Sequence, residues 1–438
     1  MHLRLAYGRD GLDLEVPDDA EVVVPGEAVP LPDEAAAVVG ALRSPTSGPP
    51  LGALVRPGQR VVVVFPDITR PMPNTTVLPP LLAELARAGA GPGQVQLLCA
   101  TGTHRPATPD ELTALVGADI VARYPIHQHR SDDGDHVAVG AVDGVPVLLD
   151  RRYVEADRRI LTGFVEPHFF AGWSGGPKGA CPGLAATSTI LEAHSPERIA
   201  DPGSTWLATS GNPVHEFVTA ATALCPPDLS LDVTIDTAGR LTGVFAGPLP
   251  DGHRAACAFA ARHVTRTVPG RFDVVVSTNG GHPLDRNLYQ SVKGLAAAER
   301  VVADGGVVVM AAACGDGVPD DGAFARILGR SPSIEELHRP AGPGAVDVWQ
   351  AQVLGRVLQR AEVRLYAGGL SGDQVRAAHM VPVGDVGVAL REALAERGPG
   401  ARLCVLPHGP LTVATPATPA TPATPATPAT PPGRTVTG

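Results

Sequence analysis

Residues 59–67 read QRVVVVFPD, four valines and a phenylalanine closed by a proline and an acid. So short a run without polar alternation predicts a strand buried on both faces, as in a parallel sheet covered by helices. The flanking sequence agrees. TVLPPLLAELARAG (76–89) has the spacing of an amphipathic helix and ends on glycine, and QVQLLCATGTH (94–104) is another strand. TPDELTALVG (108–117) is a helix capped by Thr108 and ended by Gly117. RRILTGFV (158–165) reads as a third buried strand and STILEAH (188–194) as a short helix. Strands alternating with helices predict an α/β fold with largely parallel sheets.

Outward from this block, LRLAYG and LDLEVP form a hairpin turned by Arg9-Asp10-Gly11. SLDVTIDTAGRLTGVFAG (230–247) is a second hairpin, followed by a helix over 251–264. A second α/β block opens with the strand FDVVVSTNGG (272–281), the helix NLYQSVKGLAAAERVV (287–302) and the strand GGVVVMAAAC (305–314). Helices at SIEELHRP (333–340) and VDVWQAQVLGRVLQRA (346–361) and the strand VRLYAGG (363–369) continue it. Two α/β domains are expected, 1–268 and 269–410, divided near 266–271, with the functional cleft between them. From 414 to 431 the triplet Ala-Thr-Pro occurs six times. Proline at every third position excludes helix and sheet, so 411–438 is expected to be an extended, disordered tail.

The chain of 438 residues carries a net charge of −10 and no basic run of the kind that tracks phosphates, which argues against nucleic acid. The charged N-terminus lacks the apolar core of a signal peptide, and no apolar span reaches membrane length. A soluble, cytoplasmic protein with no membrane partner is expected. The six cysteines form no C-x-x-C pair, which predicts reduced, buried thiols.

Ligands of α/β sheets gather at the carboxyl ends of strands. Four strand ends here carry polar residues: Asp67-Ile68-Thr69-Arg70, Thr101-Gly102-Thr103-His104, Glu166-Pro167-His168, and Asn279 through Asp285. All four are expected to converge on one crevice. Gly172-Trp173-Ser174-Gly175-Gly176 matches the nucleophile elbow of serine hydrolases, but an elbow needs a strand entering and a helix leaving directly. The strand ends well before Ser174, and Pro177 and Pro182 obstruct a helix, so a glycine-rich turning loop is the simpler reading. Lys178 lies in no Walker loop and is by itself an ordinary solvated charge. With His194, sixteen residues on, it could hold a cofactor or metal. His127, His129 and His136 read as a surface loop rather than a metal site. Singly, His104, Arg70 and Lys293 would be a loop histidine, a turn charge and a helix charge.

In series, DITRPMP, TGTHR, EPHFFAGWSGGPKGACPG with His194, and NLYQSVKG resemble the nickel-pincer lactate racemase family, in order, over most of residues 1–405. The resemblance implies a pyridinium mononucleotide whose two thiocarboxylate sulfurs and ring carbon hold nickel. The family's cofactor-anchoring lysine, which forms a thioamide, falls on Lys178, and its nickel-binding histidine on His194. The acid/base histidines fall on His104 and His168, and the substrate-holding residues on Arg70, Gln290, Lys293 and Trp349. Asp67 with the Ser174-Gly175-Gly176 loop is placed at the nucleotide's ribose or phosphate. The implied activity is racemisation or epimerisation of a 2-hydroxy acid by hydride transfer, and the implied partners are that acid and the proteins that build the cofactor. Oligomeric state is left open. Hydride loss suits this substrate, because removing a proton beside an ionised carboxylate would create a dianionic enolate. Imidazole suits hydroxyl deprotonation near neutral pH, and two are needed because enantiomers present the hydroxyl on opposite sides. The alternatives are a cofactor- or nickel-binding protein without turnover and a serine hydrolase acting through Ser174.

Overall fold

The computed structural model describes residues 1–319, 323–338 and 346–417. Two six-stranded sheets organise it. In the first, the order is Leu241–Gly247, Leu229–Ile235, Arg158–Phe164, Val61–Pro66, Val95–Ala100, Ile126–Gln128. All neighbours run parallel except the Leu241–Gly247 edge, which is antiparallel. Val61, Val63 and Phe65 enter one core and Val62 and Val64 the other. Burial on both faces is therefore why this stretch carries no polar residue. From the central Val61–Pro66 strand the chain proceeds outward to one side, then crosses back to build the other. The reversal leaves a crevice at the carboxyl ends of Val61–Pro66 and Arg158–Phe164.

The second sheet is parallel throughout, in the order Val381–Pro382, Ala361–Tyr366, Val302–Ala311, Phe272–Thr278, Leu403–Leu406, Glu21–Val22. Its last strand comes from the start of the chain. The His2–Leu5/Leu12–Glu15 hairpin forms as expected, and Leu5, Leu14 and Val16 pack with Val274, Val276 and Leu390 in the second sheet's core. The expectation grouped residues 1–268, yet the first two dozen residues build onto the second sheet. The other face of this sheet packs helices Leu288–Glu299 and Val348–Arg360, and the same core takes in Phe169, Phe170 and Trp206 from the first block.

Two further differences from the sequence reading have simple causes. The Asp-rich stretch after His129 is a hairpin, His136–Val142 with Val145–Asp150. The supposed tail begins as structure: Val413–Pro416 pairs in parallel with Thr265–Val268, and Val413 and Ala414 are buried. Proline is tolerated because it falls on the last residue of an edge strand, where no donor is missed. Arg300 fixes this strand by donating to the Ala414 carbonyl (3.1 Å) and the Thr415 hydroxyl (3.0 Å). Residues 418–438, with the remaining repeats, lie outside the described residues. All six cysteines are free and buried. Among the described residues no helix is long and apolar enough to cross a membrane.

Candidate active site

A cavity of about 170 Å³ opens at the crevice of the first sheet. Its wall includes Asp67, Arg70, His104, His168, Ser174, Gly175, Lys178, His194, Gln290, Lys293 and Trp349. Every residue to which the family resemblance gave a role is there except Gly176. Three of the four expected strand ends contribute. The fourth does not: Asn279 accepts from the Gly294 amide (2.9 Å), and Asp285 accepts from the Gly8 (2.7 Å) and Ala313 (3.0 Å) amides, so these side chains brace the second sheet's loops. The second block instead contributes through helices Leu288–Glu299 and Val348–Arg360, whose first turns present Tyr289, Gln290 and Trp349.

The histidines are held in different ways. His104 lies beyond the Val95–Ala100 strand, and its Nδ1 is 2.8 Å from Asp67 Oδ2. A carboxylate can only accept, so Nδ1 carries the proton and Nε2 keeps a lone pair. Asp67 is buried, and its Oδ1 accepts from the Thr69 hydroxyl at 2.7 Å. Burial raises the Asp67 carboxyl, but His104, Arg70 and Thr69 prevail and hold it below the usual range. The sequence reading gave Asp67 to a nucleotide; in the structure both its oxygens are engaged by His104 and Thr69. His168 is buried, stacked on Phe169 (4.9 Å between ring centroids), and its Nδ1 accepts from the Ala171 amide at 3.2 Å. Burial, then the charges of Lys178, Arg70 and Lys293, holds it neutral far below the ordinary imidazole value. His194 ends the Thr187–Ala193 helix, and its Nδ1 donates to the Ile190 carbonyl (2.9 Å), which frees Nε2 as a donor for a metal. Burial pushes its pKa down to about 4, so it is neutral at physiological pH.

Lys178 sits in the 3₁₀ turn Gly176–Gly179. Desolvation, then Arg70 and Lys293, lowers its ammonium pKa well below the ordinary lysine value, while Glu166 opposes this. The same causes bring Lys293 to about 8. Both amines therefore have an accessible neutral form. The turn before Lys178 is gripped by groups that the sequence did not single out. Asp232 accepts from the Gly176 amide (2.8 Å), His253 Nε2 donates to the Ser174 carbonyl (2.8 Å), and Thr222 donates to the Pro177 carbonyl (3.0 Å). Gly176 has φ +51°, and a Cβ there would lie 2.4 Å from the His253 ring, so this glycine is a packing requirement behind the cavity. Trp349 Nε1 donates to the Tyr289 hydroxyl (3.2 Å), and the indole lies 4.8 Å from the His194 ring.

Several readings are settled by these contacts. The Ser174 hydroxyl donates to the Phe164 carbonyl (2.7 Å) and accepts from the Glu166 amide (2.8 Å), so it ties the loop together and is no nucleophile. Burial lifts the Cys181 thiol to about 12, which makes it inert packing. His129, expected in a surface loop, is buried, with Nδ1 3.1 Å from Asp150 and Nε2 3.0 Å from the Ala185 carbonyl. Among the described residues no three His, Cys, Asp or Glu side chains group as a metal site. One legible signal lay outside the motifs: of the 35 basic residues only Lys178 and Lys293 are lysines, and both line this cavity. Where only charge is needed this chain uses arginine.

The family models for the lactate racemase N-terminal domain and the lactate racemase C-terminal domain match residues 7–206 and 268–414. The chain belongs to the lactate racemase family. It is 32% identical over 420 residues to the lactate racemase of Thermoanaerobacterium thermosaccharolyticum, covering 93% of this chain and 98% of that one. To the lactate racemase of Lactiplantibacillus plantarum it is 33% identical, covering 84% of this chain and 88% of that one. The lactate racemase apoprotein structure from T. thermosaccharolyticum superposes with a TM-score of 0.88 at 31% identity, covering 94% of this chain and 100% of that one. A Thermotoga maritima protein shares the fold at a TM-score of 0.61 and 17% identity, covering 90% of this chain and 100% of that one. As a lactate racemase family member, the chain is an isomerase of the racemase class.

Proposed function

We propose that this racemase inverts C2 of a 2-hydroxy acid, with lactate as the first candidate, using a nickel-pincer pyridinium nucleotide anchored at Lys178. The observation that carries the reading is the convergence in one cavity of residues drawn from four separated motifs, including the chain's only two lysines. The donor set suits the group. A neutral amine at Lys178 is a nucleophile able to form a covalent link. A single imidazole lone pair at His194 suits a metal whose remaining donors arrive with the nucleotide, and soft sulfur donors with one nitrogen suit Ni(II). Bound, the nucleotide supplies a hydride acceptor.

The chain's own residues do the rest. The Arg70 guanidinium takes the substrate carboxylate as a fork, and Lys293 and Gln290 hold the C2 oxygen. His104 accepts the hydroxyl proton at Nε2, and Asp67 stabilises the imidazolium that results. On the opposite side His168 presents Nε2, which carries the ring proton while Nδ1 accepts from the Ala171 amide. It therefore donates to the substrate oxygen there, and takes up the other enantiomer's hydroxyl proton only once that bond is given up and the ring proton has moved to Nδ1. Trp349, Tyr289 and Phe170 wall the cavity against water, and Asp232, His253 and Thr222 preset the Lys178 turn. The soluble setting and a supply of cofactor from dedicated biosynthetic proteins belong to the same proposal.

The intact mass of protein made alongside the cofactor-building enzymes tests the anchor. Wild type and Lys293→Ala are expected to carry an adduct that Lys178→Ala lacks. Retention of the adduct by Lys178→Ala would overturn the assignment.

A further inference from the structure

A second cavity, of about 310 Å³, lies at the far ends of the two helices that reach the active site. That volume is at the lower end of small-molecule pockets. Arg271, Arg300, Arg356 and Arg360 line it, against one carboxylate, Glu299. Arg356 Nε meets both Glu299 oxygens (3.1 and 3.0 Å), and Arg360 reaches Asp304 (3.2 Å). The other two guanidiniums have neutral partners. Arg271 Nη1 donates to the carbonyls of Glu299, Arg300 and Val302 (3.4, 3.2 and 2.9 Å), and Arg300 donates to Ala414 and Thr415. Those bonds satisfy N–H groups and cap a helix, and among the described residues Arg271 and Arg300 have no ion pair of their own, so four guanidiniums face only the carboxylates of Glu299 and Asp304 around the cavity. Burial and the neighbouring Arg271 and Arg356 accordingly depress the Arg300 guanidinium, with Glu299 opposing them.

We propose that this cavity binds a compact phosphate-type dianion, which clamps the helix ends, the 202–206 segment and the C-terminal strand together. That local excess of two positive charges favours a dianion over a monocarboxylate such as the proposed substrate, and guanidinium forks match the oxygens of a phosphate. The site shares no lining residue with the active cavity.

Titration calorimetry with inorganic phosphate at a pH where its dianion predominates, against sodium chloride at equal ionic strength, tests this on the full-length protein. One site per chain is expected, weakened about tenfold or more in Arg271→Gln and likewise in Arg360→Gln, with a thermal melt of each variant checking that it is folded. Arg70→Gln controls for binding in the active cavity and should leave the titration unchanged. Three results would overturn the proposal: no heat beyond the chloride control, equal affinity in Arg271→Gln and Arg360→Gln, or loss of binding in Arg70→Gln alone. In the first two cases the arginines serve only as caps and tethers.

Discussion

Asp67 Oδ2 lies 2.8 Å from His104 Nδ1, whereas His168 Nδ1 faces a backbone donor, the Ala171 amide, at 3.2 Å. The first histidine is thereby built to become an imidazolium, and the second is built to resist it. Replacing Asp67 with Asn keeps the shape and removes the charge. We expect kcat to fall about 10²–10⁴-fold, with a smaller change in KM. Steady-state kinetics on the cofactor-loaded Asp67→Asn protein checks this, and an unchanged kcat would remove Asp67 from the account.

The same inequivalence predicts a difference between the two directions of reaction. Enantiomers of a substrate with one stereocentre have equal free energy, so kcat/KM must be identical in both directions. kcat and KM taken separately need not be, because one direction begins with proton transfer to His104 Nε2, while the other requires His168 first to give up the Ala171 bond and shift its ring proton to Nδ1. Progress curves from each pure enantiomer should give unequal kcat values with a matching ratio of KM values. Equal kcat values would mean that binding erases the asymmetry.

Lys293 titrates near 8 in the folded protein against an ordinary value of 10.5, and Lys178 is displaced in the same direction. Between about 8 and 10.5 the unfolded chain binds more protons than the folded one. The cost of burying the charge is fully present below that window and relieved as pH rises through it. Urea unfolding of the apoprotein should therefore show wild type gaining stability relative to Lys293→Met from pH 8 to pH 10. A parallel pH dependence of the two proteins would contradict the buried-amine assignment.

The docked Val413–Pro416 strand sets the limit of dispensable sequence. Ending the chain after Pro410 removes three buried side chains, Thr412, Val413 and Ala414, and the partners of Arg300, a loss of roughly 2–4 kcal/mol by apolar burial and hydrogen bonding. Ending it after Ala417 removes the remaining repeats and the seven residues that follow them. Thermal melts of the two truncated chains should differ by several degrees, with the longer one matching the full chain. Coincident melts would show that the strand contributes nothing.

Much of this was legible in the sequence, for physical reasons. QRVVVVFPD and RRILTGFV are buried on both faces and so lack any competing pattern, and Thr108 with Glu111 forms the capping box that fixes where its helix starts. The motif residues reach one cavity because three strand ends must meet at a sheet's switch point. Long-range pairing was not legible: nothing local in Glu21–Val22 says that it joins Leu403–Leu406, or that Thr265–Val268 shelters Val413–Pro416. The grip of Asp232 and His253 on the Lys178 turn was equally hidden, since each lies more than fifty residues from the groups it binds. The hairpin after His136 did carry a signal, Asp143-Gly144 with φ of 52° and 80°, beneath a charged stretch that reads as loop.

The central claim, inversion at C2 through loss and return of hydride while two histidines move the hydroxyl proton, is tested most directly by running the cofactor-loaded enzyme on pure L-lactate in heavy water. Chiral chromatography with mass detection then reads both configuration and isotope. The account predicts D-lactate that retains its original C2 hydrogen, with the inversion lost in both His104→Ala and His168→Ala. Deuterium at C2 of the product, or full activity in either variant, would contradict it.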